Sequence, residues 1–252
     1  MRTKFLSLLF SIAFLAGCQE NQSGLSFAKT LEEAHQKEEF LKKEAIQFDL
    51  VLNFGGNERL NGTLTLLTNS SKGRIDYKDG SIIIYDEDKL YFSPEIDAER
   101  VSFTAYTWSY FFLMPYKLTD PGTRWKDFGD KELKGKMYDV QKLTFDPGTG
   151  ASPDDWYIVY RDPNTKLLHS AAYIVTAGKS REEAEKDPHA IEYLNYEEIE
   201  GIPIATAWNF WAWRSGQGFT KKLGNAQLSR VRFTQLNQDF FEHLPGMQEA
   251  DQ

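Results

Sequence analysis

Residues 46–92 read IQFDLVLNFGGNERLNGTLTLLTNSSKGRIDYKDGSIIIYDEDKLYF, and their alternation decides the fold class. Ile46, Phe48, Leu50, Leu52 and Phe54 share one side of an extended chain, with Gln47, Asp49, Val51 and Asn53 on the other. Such a period of two belongs to a strand with one buried face. Gly55-Gly56-Asn57 turns the chain, and strands follow at Arg59 to Thr68, Gly73 to Tyr77, Ser81 to Tyr85 and Lys89 to Phe92. The separators Asn69-Ser70-Ser71-Lys72, Lys78-Asp79-Gly80 and Asp86-Glu87-Asp88 are rich in turn residues, so the stretch predicts an antiparallel meander.

Outward from the meander, further strands are predicted at Met137 to Phe145, Trp156 to Tyr160, Leu167 to Thr176, Ile191 to Glu198, Ile204 to Trp213 and Ala226 to Leu236. Asp162-Pro163-Asn164-Thr165 supplies a hairpin turn. Before the meander, Thr30-Leu31-Glu32-Glu33 has capping-box spacing. Glu33/Lys37, Glu38/Lys42 and Glu39/Lys43 are acid-before-base pairs at i, i+4, so a helix is predicted from about Thr30 to Ala45. Ser180 to Lys186 reads as a short charged helix. Val101 to Tyr116, VSFTAYTWSYFFLMPY, holds seven aromatic residues in sixteen and is apolar all round, which marks a segment enclosed on several sides. Pro115 and Pro121 bound it.

About ten or eleven antiparallel strands exceed what a flat sheet holds, so the expected class is α+β: a strongly curved half-barrel with an N-terminal helix. A partly open barrel needs a cover, and Val101 to Tyr116 is the expected helical lid over an apolar hollow. No linker or repeat divides the body, and one domain is expected from residue 27 to 252.

The front of the chain sets its expected location. Arg2 and Lys4 precede an uncharged apolar run from Phe5 to Leu15, too short for a permanent membrane span and suited to an export signal. The run ends on Leu15-Ala16-Gly17-Cys18, which resembles the bacterial lipobox and places the single cysteine of the chain where a lipid would be attached. Residues 1–17 are then a lipoprotein signal peptide, 18–26 a polar tether, and the membrane a partner through acyl chains such as palmitate on Cys18. Gln19 is not the aspartate of an inner-membrane retention signal, so the expected place is the cell envelope, the outer membrane ahead of the inner. Loss of Arg2 and Lys4 takes the formal charge from −8 to −10, and no Lys/Arg cluster offers phosphate a positive face, which excludes nucleic acid as a partner.

The order of lipobox, N-terminal helix, IQFDLVLNF, meander, aromatic helix before PYKLTDPG, hairpin DDWYIVYRDPNTKLLHSAAY and closing VRFTQLNQDFFEHLP resembles the LolA/LolB lipoprotein-carrier superfamily. Within that group it is similar to an uncharacterised family of exported bacterial lipoproteins. The resemblance implies a half-barrel whose mouth is plugged by helices and whose cavity accepts acyl chains.

Signatures of other chemistry are missing. Gly178-Lys179-Ser180 lacks the glycine a phosphate loop needs, since that position is Tyr173. His35, His169, His189 and His243 show no metal spacing, and His169 reads as a satisfied strand histidine. No G-x-S-x-G occurs, and the acidic turns Asp86-Glu87-Asp88 and Asp146 to Asp155 lack the pattern of a calcium loop. The sequence therefore predicts no enzyme, no cofactor and no metal. The expected function is binding of a lipid or other hydrophobic ligand by Phe48, Leu50, Trp108, Phe111, Phe112, Met114, Trp208, Trp211 and Trp213. On a strand, Trp208 and Phe210 face one way and Trp211 and Trp213 the other, so one face is covered by a helix or meets a ligand. The alternative is a surface or periplasmic lipoprotein whose exposed aromatics dock a glycan or a protein partner.

Overall fold

The computed structural model describes residues 23–150 and 152–250. The expected signal peptide and the expected lipid-attachment residue Cys18 lie outside the described residues. Fourteen strands form one sheet: β1 (Ala45–Phe54), β2 (Asn57–Leu67), β3 (Lys72–Tyr77), β4 (Ile82–Asp86), β5 (Lys89–Phe92), β6 (Thr123–Asp127), β7 (Lys131–Leu133), β8 (Lys136–Phe145), β9 (Tyr157–Arg161), β10 (Leu168–Tyr173), β11 (His189–Ile199), β12 (Ile202–Arg214), β13 (Gly218–Thr234) and β14 (Gln248–Glu249). Their order is β14-β5-β4-β3-β2-β1-β13-β12-β11-β10-β9-β8-β6, with β7 on β8, and the two ends do not meet. Leu90 and Phe92 of β5 nevertheless share one core with Leu143 of β8, across nine intervening strands. Only a sheet curled on itself brings such distant strands to one core, which makes the molecule a half-barrel.

The alternation read from the sequence is the burial pattern found. In β1, Ile46, Phe48, Leu50 and Leu52 are fully buried while Gln47, Asp49, Val51 and Asn53 are half-buried. Long strands β1, β12 and β13 form the middle of the barrel wall, and Gly62 lets β2 approach β3, because a Cβ there would meet the Asp76 carbonyl. The Asp162 turn forms as expected, its carboxylate Oδ1 accepting from the amides of Asn164 and Thr165 at 2.8 and 3.0 Å.

Three helices occupy the concave side and a fourth, short one lies on the convex side. Residues 23–34 form α1, Gln36 takes a left-handed conformation with φ 56°, and α2 spans Lys37–Leu41. The single helix expected from Thr30 to Ala45 is thus two, beginning earlier and breaking at Gln36. The Thr30 hydroxyl lies mid-helix and donates to the Ser26 carbonyl at 2.8 Å instead of capping. Lys37 pairs with buried Glu32, and Lys42 with Glu39, in place of the i, i+4 partners. α3 (Ala98–Leu113) is the aromatic segment, capped by the Asp97 side chain on the Glu99 amide and followed by a 3-10 turn, Met114–Tyr116. α4 (Arg181–Ala184) is the short charged helix, closed by a Ser180/Glu183 capping box.

Candidate functional site

α3 does not merely cover a hollow; it sinks into it. Phe112 stacks on Phe48 at 4.3 Å, Trp108 meets the edge of Phe210 at 5.8 Å, and Phe111 lies 4.9 Å from Tyr173. The Tyr193 hydroxyl donates to the Phe111 carbonyl at 2.7 Å and pins the helix to β11. Tyr116, beyond the helix, stacks on Phe40 of α2 at 3.7 Å. These contacts leave the middle of the concave face without free volume. Only about 10 Å³ remains beside His35, Phe112, Tyr116 and Trp208, too little for more than one water.

One flank of α3 is different. A cavity of about 570 Å³ lies between α3, the end of β4 and the β9–β10 hairpin, within the usual size of small-molecule sites. Its walls are aromatic: Phe103, Tyr106, Tyr110 and Phe111 from α3, Tyr157 and Tyr173 from the hairpin, and Tyr85 from β4. Tyr157 and Tyr173 are cross-strand partners, which sets their rings side by side. Tyr85 opposes Gly73, and its ring fills the place a Cβ would take there. Exposed Glu87, Ser102, Pro121 and Gly150 mark the rim.

Two loops complete the wall. Buried Glu32 of α1 accepts from Lys37 Nζ at 2.8 Å and from the amide and hydroxyl of Thr119 at 2.8 and 2.7 Å, holding residues 117–122 in place. Lys117 ties the same loop to Ser70 at 2.8 Å and pairs with Asp120 at 2.7 Å. The Asp146 amide then donates to the Gly122 carbonyl at 2.8 Å, joining the second loop to the first. Asp155, 8% exposed, accepts through Oδ1 from the amide and hydroxyl of Thr176 at 2.9 and 2.8 Å.

Burial opposes ionisation along the inner wall of the cavity. Burial pushes the Tyr110, Tyr157 and Tyr173 phenols well above their ordinary range and Tyr85 up to about 12, so all are neutral donors. Burial also raises the Asp155 carboxyl. His35, which accepts the Leu168 amide at 3.0 Å through Nε2, is lowered to about 3 by burial and stays neutral. Among the described residues, no three His, Cys, Asp or Glu side chains gather where a cation could be held.

The residues expected at the site divide into three groups. Phe111 borders the cavity. Phe48, Leu50, Trp108, Phe112, Met114 and Trp208 are packed into the concave core, between 0% and 7% exposed. Trp211 and Trp213 lie on the convex face in a second apolar cluster with Trp156, Ile158 and Tyr160, and Ala184 of α4 helps to cover it. There the Trp213 indole donates to Tyr160 at 3.1 Å. Trp211 stacks on Phe219 at 5.3 Å, donates to Glu192 at 2.8 Å and carries Lys134 over its ring. Beside it runs an open groove of about 740 Å³ over Trp156, Ile158 and Trp213. Sequence reasoning did not select Tyr85, Tyr106, Tyr110, Tyr157, Tyr173 or Asp155. The available signal was the i, i+4 spacing of Tyr106 and Tyr110 on an enclosed helix.

An unclosed antiparallel half-barrel with helices in its concavity is the LolA-like fold. The chain superposes on a LolA superfamily protein from Nitrosomonas europaea with a TM-score of 0.58 at 10% identity, covering 87% of this chain and 97% of that one. A domain described as that of an outer membrane lipoprotein-sorting protein from Vibrio parahaemolyticus gives 0.54 at 14% identity, covering 88% and 97%. A DUF1329 family protein from Desulfovibrio piger gives 0.50 at 13%, covering 89% and 98%. Residues 95–214 match DUF6503, a family of unknown function. No curated protein matches the sequence.

Proposed function

We propose that this protein is a membrane-tethered binding protein that shelters the acyl chain of a lipid, or of an acylated partner, in the cavity beside α3. The observation that carries the reading is the cavity itself: about 570 Å³ walled by aromatic rings, next to a concave face otherwise filled. Apolar burial contributes roughly 25 cal/mol per Å². Phe111 belongs to the site together with the tyrosines of α3 and β9–β10. The remaining concave residues, Phe48, Leu50, Trp108, Phe112, Met114 and Trp208, form the rigid bed that holds α3 open on one flank. No reacting group is required, and the role is one of binding and not of catalysis.

Attachment through an acylated Cys18 places the body in the cell envelope, at the outer membrane ahead of the inner, and suits a role in lipid or lipoprotein handling there. The LolA-like fold and the lipobox-like Leu15-Ala16-Gly17-Cys18 support this reading together. Native mass spectrometry of the mature chain carrying Cys18→Ser tests it. Co-purifying or added lipid is expected to remain bound, and Thr107→Trp, which puts a large ring at a half-buried lining position, is expected to expel it. A body that takes up no lipid overturns the reading.

A further inference from the structure

The cavity is not a plain hydrocarbon slot. Tyr110, Tyr157 and Tyr173 stand in a row along its inner wall, with ring centroids 5.5 Å apart for the first pair and 6.2 Å for the second. Each makes ring contacts, yet none of the three hydroxyls has a hydrogen-bond partner among the described residues. The buried side-chain nitrogen and oxygen atoms wholly shut in without a partner are His35 Nδ1 and Gln141 Oε1, so the three phenol oxygens are reached from the cavity. A guest that covers these oxygens without accepting from them leaves its neighbouring donors buried and unpaired, which costs more than a hydrogen bond contributes. Three phenol donors facing one space favour a guest that carries an acceptor.

The charge balance says what kind. The charged side chains lining the cavity are Glu87, Lys117, Asp120 and Asp155, three acids against one base. The base is already engaged with Asp120 and Ser70. Among the described residues Asp155 has no basic partner, and its second carboxylate oxygen accepts no hydrogen bond. A carboxylate or phosphate entering here would meet like charge in a partly desolvated space, with no unpaired cation among the described lining residues to balance it. An ester or amide carbonyl would accept from the phenols, and a ligand hydroxyl would donate to Asp155.

We propose that the cavity selects lipids whose acyl chain is joined to an uncharged, oxygen-bearing group, the class of a monoacylglycerol, over the free fatty-acid anion. This rests on the reading of the cavity as a lipid site and adds its chemical preference. The phenols supply the acceptor pole, and the aromatic rings supply the slot for the chain.

Titration of the mature Cys18→Ser chain with monolauroylglycerol, laurate and dodecane at neutral pH tests it, since the three share a chain and differ in the head. The ester is expected to bind at least about tenfold more tightly than laurate. Tyr157→Phe with Tyr173→Phe keeps both rings and should cut ester affinity by about tenfold, leaving dodecane unchanged. Asp155→Asn, which keeps an acceptor for Thr176, should raise laurate affinity. Laurate binding as tightly as the ester, or phenylalanine variants that preserve the preference, overturns the proposal while leaving the cavity a lipid site. Binding of none of the three overturns both.

Discussion

The two faces of one sheet are built from similar residues and end in different states. On the concave side, Trp108 and Phe112 of a 16-residue helix pack with Phe48 and Trp208 and are shut off from water, and the unfilled volume is gathered along one flank of that helix. On the convex side, Trp156, Trp211 and Trp213 are covered only by β7, the β12–β13 hairpin and a four-residue helix, and their groove stays open. Aromatic content therefore does not locate a binding site. What differs is the cover: a long helix held at several points fills the middle of its face and leaves a hollow along one flank, whereas short elements leave a trough with Lys142, Lys186, Arg214 and Lys221 at its edge.

The largest expected effect follows from the density of the concave bed. Phe48→Ala removes the ring on which Phe112 stacks and should lower unfolding free energy by about 3–5 kcal/mol, measured by chemical denaturation. A loss under about 1 kcal/mol would mean that α3 is not seated as described. Trp211→Ala breaks a smaller unit. Glu192, 5% exposed, accepts from Lys134, Asn209 and Trp211, and removing one donor should cost about 1–3 kcal/mol without altering lipid uptake. Lipid uptake lost along with Trp211 would move the site to the convex face.

Acid probes the two faces most gently. Burial lowers His169 on the convex side to about 4 from an ordinary 6.5. Between those values the unfolded chain binds the proton and the folded chain does not, so stability falls as pH drops through that window and levels off below it. His169→Gln should flatten this part of the stability profile. Burial opposes ionisation of Glu192, but its hydrogen bonds from Lys134, Trp211 and Asn209 outweigh that, and its carboxyl titrates below the usual range. Its contribution is lost only as pH falls further, through that lowered value. A profile unchanged by His169→Gln would show that the imidazole is hydrated in the folded state.

Much of the wall was legible because burial on one face writes a period of two into β1, β3 and β5. The strands that escaped notice carry no such signal. β6 buries only Trp125, β7 only Leu133, and both residues of β14 are exposed. β13 begins at Gly218, before the expected Ala226, since its first half is mostly polar and held by pairing with β12. The N-terminal helix was misplaced because capping-box spacing at Thr30 arises by chance within a helix, and nothing in the side chain of Gln36 announces a left-handed residue. For the site, the aromatic density of residues 101–116 correctly marked an enclosed helix. Which flank stays unfilled depends on the loops at 117–122 and 146–150 and on a carboxylate of α1, contacts between parts distant in sequence that no local pattern encodes.

The most direct measurement is photo-crosslinking with a monoacylglycerol that carries a diazirine in its chain, followed by peptide mapping of the labelled mature protein. Labels are expected on α3 and on the β9–β10 hairpin, displaced by unmodified ester. Labels confined to the β12–β13 hairpin around Arg214 and Lys221 would place the ligand in the convex groove and contradict it.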